Sequence, residues 1–149
     1  MKILILGGKR FLGIALVEAI LKAGHTPTLF NRGLTNPDLF PKVTNLIGDR
    51  DGDLSALKRR KWDAVIDTGG FVPRVVIKSA RMLSNKVENY TFISSLSVYQ
   101  DFQTPDIAED YRLAQLDDPT NEDYRGDAYG PLKALCEYEI QQHFEGSVL

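Results

Sequence analysis

Lys2-Ile-Leu-Ile-Leu6, followed at once by Gly7-Gly8-Lys9-Arg10-Phe11-Leu12-Gly13, is the stretch that decides the fold. The apolar run reads as a short buried strand and the glycine pair as a turn. Phe11 to Ala23 reads as a helix with Leu16, Val17, Ile20 and Leu21 on one face. Strand, glycine turn and helix in that order is the dinucleotide-binding arrangement. Gly7 permits the tight turn, and Gly13 lets the helix lie close to the strand. Backbone N–H groups at the helix start can hold a pyrophosphate with help from the helix dipole. Gly7, Gly8, Arg10, Phe11, Leu12 and Gly13 are the candidates for that contact.

Working outward, strands and helices alternate. Thr26–Phe30 is the second strand, followed by a loop rich in Pro and Asn from Asn31 to Pro41. Val43–Ile47 is the third strand, and Asp53 is placed to cap a helix starting at Asp53–Leu57. Trp62–Thr68 is the fourth strand. Pro73 suits the first turn of a helix running to about Leu83. Glu88–Ser95 is the fifth strand. A long polar segment, Gln100–Gly126, leads to a helix over Ala128–Phe144, and Ser147–Leu149 opens a sixth strand. Apolar strands alternating with helices predict an α/β fold, a Rossmann-type doubly wound parallel sheet with helices on both faces. Residues 1–149 are expected to be one NAD(P)-binding domain, the first part of a longer protein.

Composition excludes little but points away from several classes. The net charge of −2 offers no global basic field for nucleic acid. The run Lys58-Arg59-Arg60-Lys61 reads as a solvated helix end. With one cysteine there is no intrachain disulfide, and Cys136 falls in a helical pattern with Leu132 and Ile140 that makes it core. His25 and His143 lack partners at metal-ligand spacing and read as surface residues. The sequon Asn89-Tyr90-Thr91 falls in a buried strand, and the first apolar run is too short for a membrane span. A cytoplasmic location is the expectation.

The remaining motifs carry chemistry. Strand two ends on Phe30-Asn31-Arg32, with no acid to bind a ribose 2′-hydroxyl, so Asn31 and Arg32, joined by Arg10, favour NADP(H) over NAD. Asp49 and Arg50, in Gly48-Asp49-Arg50-Asp51, follow strand three, and the Asp49 carboxylate can accept from an adenine amino group. Thr68, Gly69 and Gly70 close strand four, where small residues let backbone approach a cofactor. Ser94, Ser95 and Ser97 stand at the carboxyl end of strand five, where open α/β sheets place their sites. Tyr129 and Lys133 lie one helical turn apart on one helix face. Positive charge beside a tyrosine favours the phenolate, the form that acts as a general base.

Taken in order, the glycine turn, the Gly-Asp after strand three, Ser94-Ser95-Leu96-Ser97-Val98-Tyr99 and Tyr129-x-x-x-Lys133 resemble the extended short-chain dehydrogenase/reductase family. Within it the chain is similar to the NAD-dependent epimerase/dehydratase group. The wording Gly-Gly-x-Arg-Phe-Leu-Gly and Phe-Asn-Arg-Gly resembles a bacterial branch called isoflavone-reductase-like, and plastid RNA-binding relatives. The resemblance implies that Tyr129 is the base, that Lys133 holds the nicotinamide ribose, and that Ser95 orients the substrate, with Ser94 its neighbour on the cofactor. It also implies hydride transfer on a small, sugar-nucleotide-like substrate, and a homodimer built through the helix carrying Tyr129. The middle glycine of the family pattern falls at Arg10, a departure at the phosphate. The family's substrate domain comes mostly from residues after the sixth strand, so the fragment alone is expected to be inactive. A non-catalytic NADP-binding or RNA-associated protein of the same fold is the alternative.

Overall fold

The computed structural model describes residues 1–103 and 105–149. The strands are β1 (Lys2–Leu6), β2 (Thr26–Asn31), β3 (Thr44–Ile47), β4 (Ala64–Asp67), β5 (Asn89–Phe92) and β6 (Ser147–Val148). They form one sheet in the order β3-β2-β1-β4-β5-β6, each neighbouring pair parallel. The helices are α1 (Leu12–Lys22), α2 (Pro73–Leu83) and α3 (Tyr129–His143).

β1 is apolar without alternation because both of its faces are covered. Ile3 and Ile5 pack with Leu29 against Val17 and Ile20 of α1. Leu4 and Leu6 face the other layer, where Val76 and Ala80 of α2 meet Cys136 and Ile140 of α3. This is the Rossmann-type doubly wound fold. Its strand order reverses at β1, so β2 and β4 diverge from it and open a crevice beyond the carboxyl ends.

The strands and the three helices fall where the sequence places them, within one or two residues at most ends. The helix expected from Asp53 does not form. The Asp53 carboxylate accepts the Ser55 N–H (2.8 Å), as a cap would, but only a 3₁₀ turn follows, Ser55–Leu57. Leu54 and Leu57 are buried, whereas Lys58–Lys61 offers no apolar residue to seat a second turn. That basic run is exposed and begins at Lys58, the C-cap of this short 3₁₀ turn.

Cys136 is fully buried, and burial first of all pushes its thiol up to about 12. Tyr90, inside the sequon, is fully buried in β5. His25 and His143 are half-buried. Among the described residues no cluster of His, Cys, Asp or Glu could hold a metal, and no helix is long and apolar enough to cross a membrane.

Candidate active site

The first turn sets the cleft. Gly7 and Gly8 sit at φ 109° and 91°, backbone that side-chain-bearing residues rarely adopt. Gly7 N–H donates to Phe30 O (2.9 Å), which draws the turn toward β2. A Cβ on Gly13 would lie 2.7 Å from Gly8 Cα, so the glycine lets α1 start directly on the turn. Phe11, the residue after Arg10, has positive φ (37°) and is 94% exposed before the first helical residue. Arg10 is exposed as well.

A cleft of about 640 Å³ runs along the carboxyl ends of the strands, a volume in the range of small-molecule and cofactor sites. It brings together the turn from Gly7 to Gly13, Asn31 and Arg32, Asp49 and Arg50, Thr68 and Gly69, Ser94, and the pair Tyr129 and Lys133. Gly70 and Ser95 are not among the residues that line it.

Several of these side chains already have work. Asn31 donates to Gly7 O (3.3 Å) and Asn45 Oδ1 (2.8 Å) and accepts from Gly33 N–H (2.9 Å), so it braces the turn against β3. Arg32 is exposed on the rim. Asp49 is exposed and accepts the Asp51 N–H (3.0 Å). Lys9, which sequence reading left unassigned, is buried and donates to Pro37 O (2.7 Å), pinning the loop after β2 over the turn.

Arg50 is not a free cation. Its guanidinium is bidentate on Asp67, one arm at 2.7 Å, and donates to Ser79 Oγ (2.9 and 2.8 Å). The Tyr90 hydroxyl donates to Asp67 (2.7 Å). Asp67 is fully buried. Burial opposes the Arg50 charge, and Asp67 together with Tyr90 outweighs it, so the guanidinium is held above its ordinary range. Burial and then the neighbouring Asp67 raise Tyr90 well above the ordinary range, so it stays a donor. Arg50 lines the cleft, and the buried network behind it locks the β3–β4 loop onto β4 and α2. A carboxylate inside the apolar run Ala64-Val65-Ile66-Asp67 is the signal that could have announced it, because a buried acid needs a buried partner.

Lys133 is 2% exposed and donates to Gly70 O (3.0 Å) and Ile93 O (2.6 Å), the carbonyls just past β4 and β5. Its Nζ sits 3.8 Å from the centre of the Phe92 ring, a cation–π contact. A Cβ on Gly70 would fall 2.4 Å from that same ring, so the small residue is what leaves room for it. Burial lowers the Lys133 pKa, with Asp67 acting against the shift.

Tyr129 is half-buried at the start of α3, with Pro131 in the same first turn, where a missing N–H is tolerated. Its neighbour Phe71 lies 6.3 Å away between ring centres. Ser95 opens a 3₁₀ turn, Leu96–Val98, and its Oγ accepts the Ser97 N–H and donates to Ser97 Oγ, both 3.2 Å. The Oγ of Ser94, on the cleft, is buried with no hydrogen-bond partner among the described residues, the condition of a group waiting for a ligand or water. The segment after this turn folds back on it through Gln100 N–H to Arg112 O and Ala114 N–H to Val98 O, both 2.8 Å.

No family model matches the chain. A chloroplast stem-loop binding protein of 41 kDa from Arabidopsis thaliana is 36% identical over 114 residues, covering 66% of this chain and 30% of that protein. Among solved structures, the Bordetella bronchiseptica enzyme WbmG in complex with NAD and UDP superposes with a TM-score of 0.77 at 20% identity, over 98% of this chain and 50% of that one. UDP-N-acetylglucosamine 4-epimerase from Bacillus cereus gives a TM-score of 0.71 at 21% identity, over 95% of this chain and 52% of that one. Other solved structures that superpose on this chain include a short-chain dehydrogenase/reductase superfamily protein from Agrobacterium tumefaciens with bound NAD, at a TM-score of 0.73 and 23% identity over 99% of this chain and 48% of that one. The chain has their fold and spans about half their length.

Proposed function

We propose that the cleft binds a nicotinamide dinucleotide and that the whole protein is an oxidoreductase, epimerase or dehydratase acting on a small, sugar-nucleotide-like hydroxyl or carbonyl substrate. One observation carries the reading: the glycine turn under α1 and the Tyr129/Lys133 pair of α3 open onto one cleft. Gly7, Gly8 and the backbone from Arg10 to Gly13 would hold the pyrophosphate, Asp49 the adenine, and Lys133 the nicotinamide ribose. When bound, the nicotinamide supplies the hydride donor or acceptor.

The chain's own residues have separable tasks. Lys133 has three N–H donors, and two are committed to Gly70 O and Ile93 O, which fixes the ammonium and leaves one donor for the cleft. Tyr129 takes or returns the proton of the substrate oxygen. Ser95 orients that oxygen, and Ser94 offers its unpartnered Oγ to the cofactor. The test is Tyr129→Phe in the full-length protein. Turnover should fall about 100-fold or more, with dinucleotide affinity little changed; unchanged turnover would refute the role.

NADP(H) is the favoured cofactor, because strand two ends on Asn31-Arg32 and Arg10 and Arg32 are exposed at the cleft. The solved neighbours carrying NAD make NAD the alternative outcome. The same fold supports a second reading, an RNA-associated protein, favoured by identity to a stem-loop binding protein. RNA binding that weakens steeply with salt would support it.

A further inference from the structure

Arg74, in the first turn of α2, holds two carboxylates that come from segments far apart in the chain. Its Nε and Nη2 donate to Glu122 Oε1 and Oε2 (2.8 and 2.9 Å). Its Nη1 and Nη2 donate to Asp51 (2.5 and 3.1 Å), and Lys78, one turn on, donates to the Asp51 carboxylate and carbonyl (both 2.6 Å). Asp51 belongs to the loop that follows β3. Glu122 belongs to the segment that leads into α3.

Two residues past Glu122, the Tyr124 ring stacks on Phe71 with centres 5.0 Å apart and planes at 22°. Phe71 reaches Tyr129 on its other side, and Lys133 Nζ is 5.7 Å from its ring centre. The segment is braced internally. Asp118 accepts the Thr120 N–H (2.8 Å), Asn121 the Asp123 N–H (2.9 Å) and Asp123 the Arg125 N–H (3.2 Å). Asp51, Phe71, Tyr124 and Tyr129 all line the cleft.

We propose that residues 118–125 form a strap, seated by Arg74 and by Tyr124 on Phe71, and that seating of the strap is coupled to occupancy of the cleft. Tyr124 is a positioning residue: it fixes Phe71 as the wall beside Tyr129 and Lys133. The coupling rests on the dinucleotide reading above. Its physical basis is the margin by which the strap is held. The Arg74, Asp51 and Glu122 side chains are about half exposed, and such ion pairs are weak and screened by salt. A marginally seated element is one that a ligand shifts readily, provided the ligand favours one position.

Amide hydrogen exchange of residues 119–125 and calorimetric titration with NAD and NADP test this together. In the wild type, bound dinucleotide should slow exchange in the strap. Glu122→Gln and Arg74→Ala should speed exchange of the free protein about tenfold and weaken the dinucleotide about threefold, the range an exposed ion network allows. Tyr124→Ala, which removes the ring stacked on Phe71, should speed exchange and weaken binding. Faster exchange with unaltered affinity in Glu122→Gln would overturn the coupling, and unaltered exchange would overturn the strap. Absence of binding to the wild type would overturn the dinucleotide reading and the coupling with it.

Discussion

Gly130 and Ser97 are in such close contact that a Cβ on the glycine would lie 1.9 Å from the Ser97 carbonyl oxygen. This approach sets the start of α3, with Tyr129, against the turn that carries Ser95. The two proposed catalytic groups come from distant parts of the chain, and a missing side chain brings them together. Gly130→Ala should force the turn and the helix apart, costing about 1–3 kcal/mol as overpacking does. Urea unfolding reads the stability loss, and turnover of the full-length protein should drop further than stability alone explains.

The Arg50–Asp67 ion pair gives a second expectation. Asp67→Ala leaves the Arg50 guanidinium, only 12% exposed, without its counter-charge, a loss of up to about 3–5 kcal/mol. Asp67→Asn keeps an acceptor for Arg50 and should cost less. Thermal or urea denaturation ranks the two, and equal losses would contradict the ion-pair account.

Much of this was legible in the sequence because the deciding signals are local. Lys2–Leu6 and Gly7–Gly13 announce a buried strand and the glycine turn that leads into α1, and Pro73 marks the start of α2 to the residue. The β3–β4 connection was misread because Asp53 caps a turn that has no apolar residue beyond Leu57 to extend it. Spacing places Arg50 in the loop after β3, on the cleft, but does not show its partner Asp67, which meets it only when β4 packs beside α2. The Arg74–Glu122 and Phe71–Tyr124 contacts join segments with no shared periodicity, so nothing in the sequence pairs them.

Cys136 carries a pH expectation. Its folded-state pKa is raised from about 9 to about 12 by burial. The unfolded chain therefore loses that proton first, and stability falls as pH climbs from 9 toward 12. By pH 10 the cost attributable to this thiol is about 1 kcal/mol. Urea midpoints of wild type and Cys136→Ala should converge as pH rises from 8 to 10, and a buried thiol of this kind should resist alkylation at pH 8 in the folded protein.

Arg32 tests cofactor choice. Arg32→Glu places an acid at the rim near the end of β2 and should weaken NADP about tenfold or more while sparing NAD, since a 2′-phosphate meets the new charge at close range. Calorimetric titration of both cofactors checks the ratio. Equal effects on the two would show that Arg32 does not read the phosphate.

The central claim is that this cleft is a dinucleotide site with Tyr129 and Lys133 at its reactive end. Titration of the folded chain with NAD and with NADP tests it most directly, beside Gly13→Val, whose side chain would collide with Gly8, and Tyr129→Phe. One-to-one binding of a dinucleotide by the wild type and by Tyr129→Phe, lost in folded Gly13→Val, is the expected result. No binding of either cofactor to the folded wild type, or full binding by Gly13→Val, would contradict it.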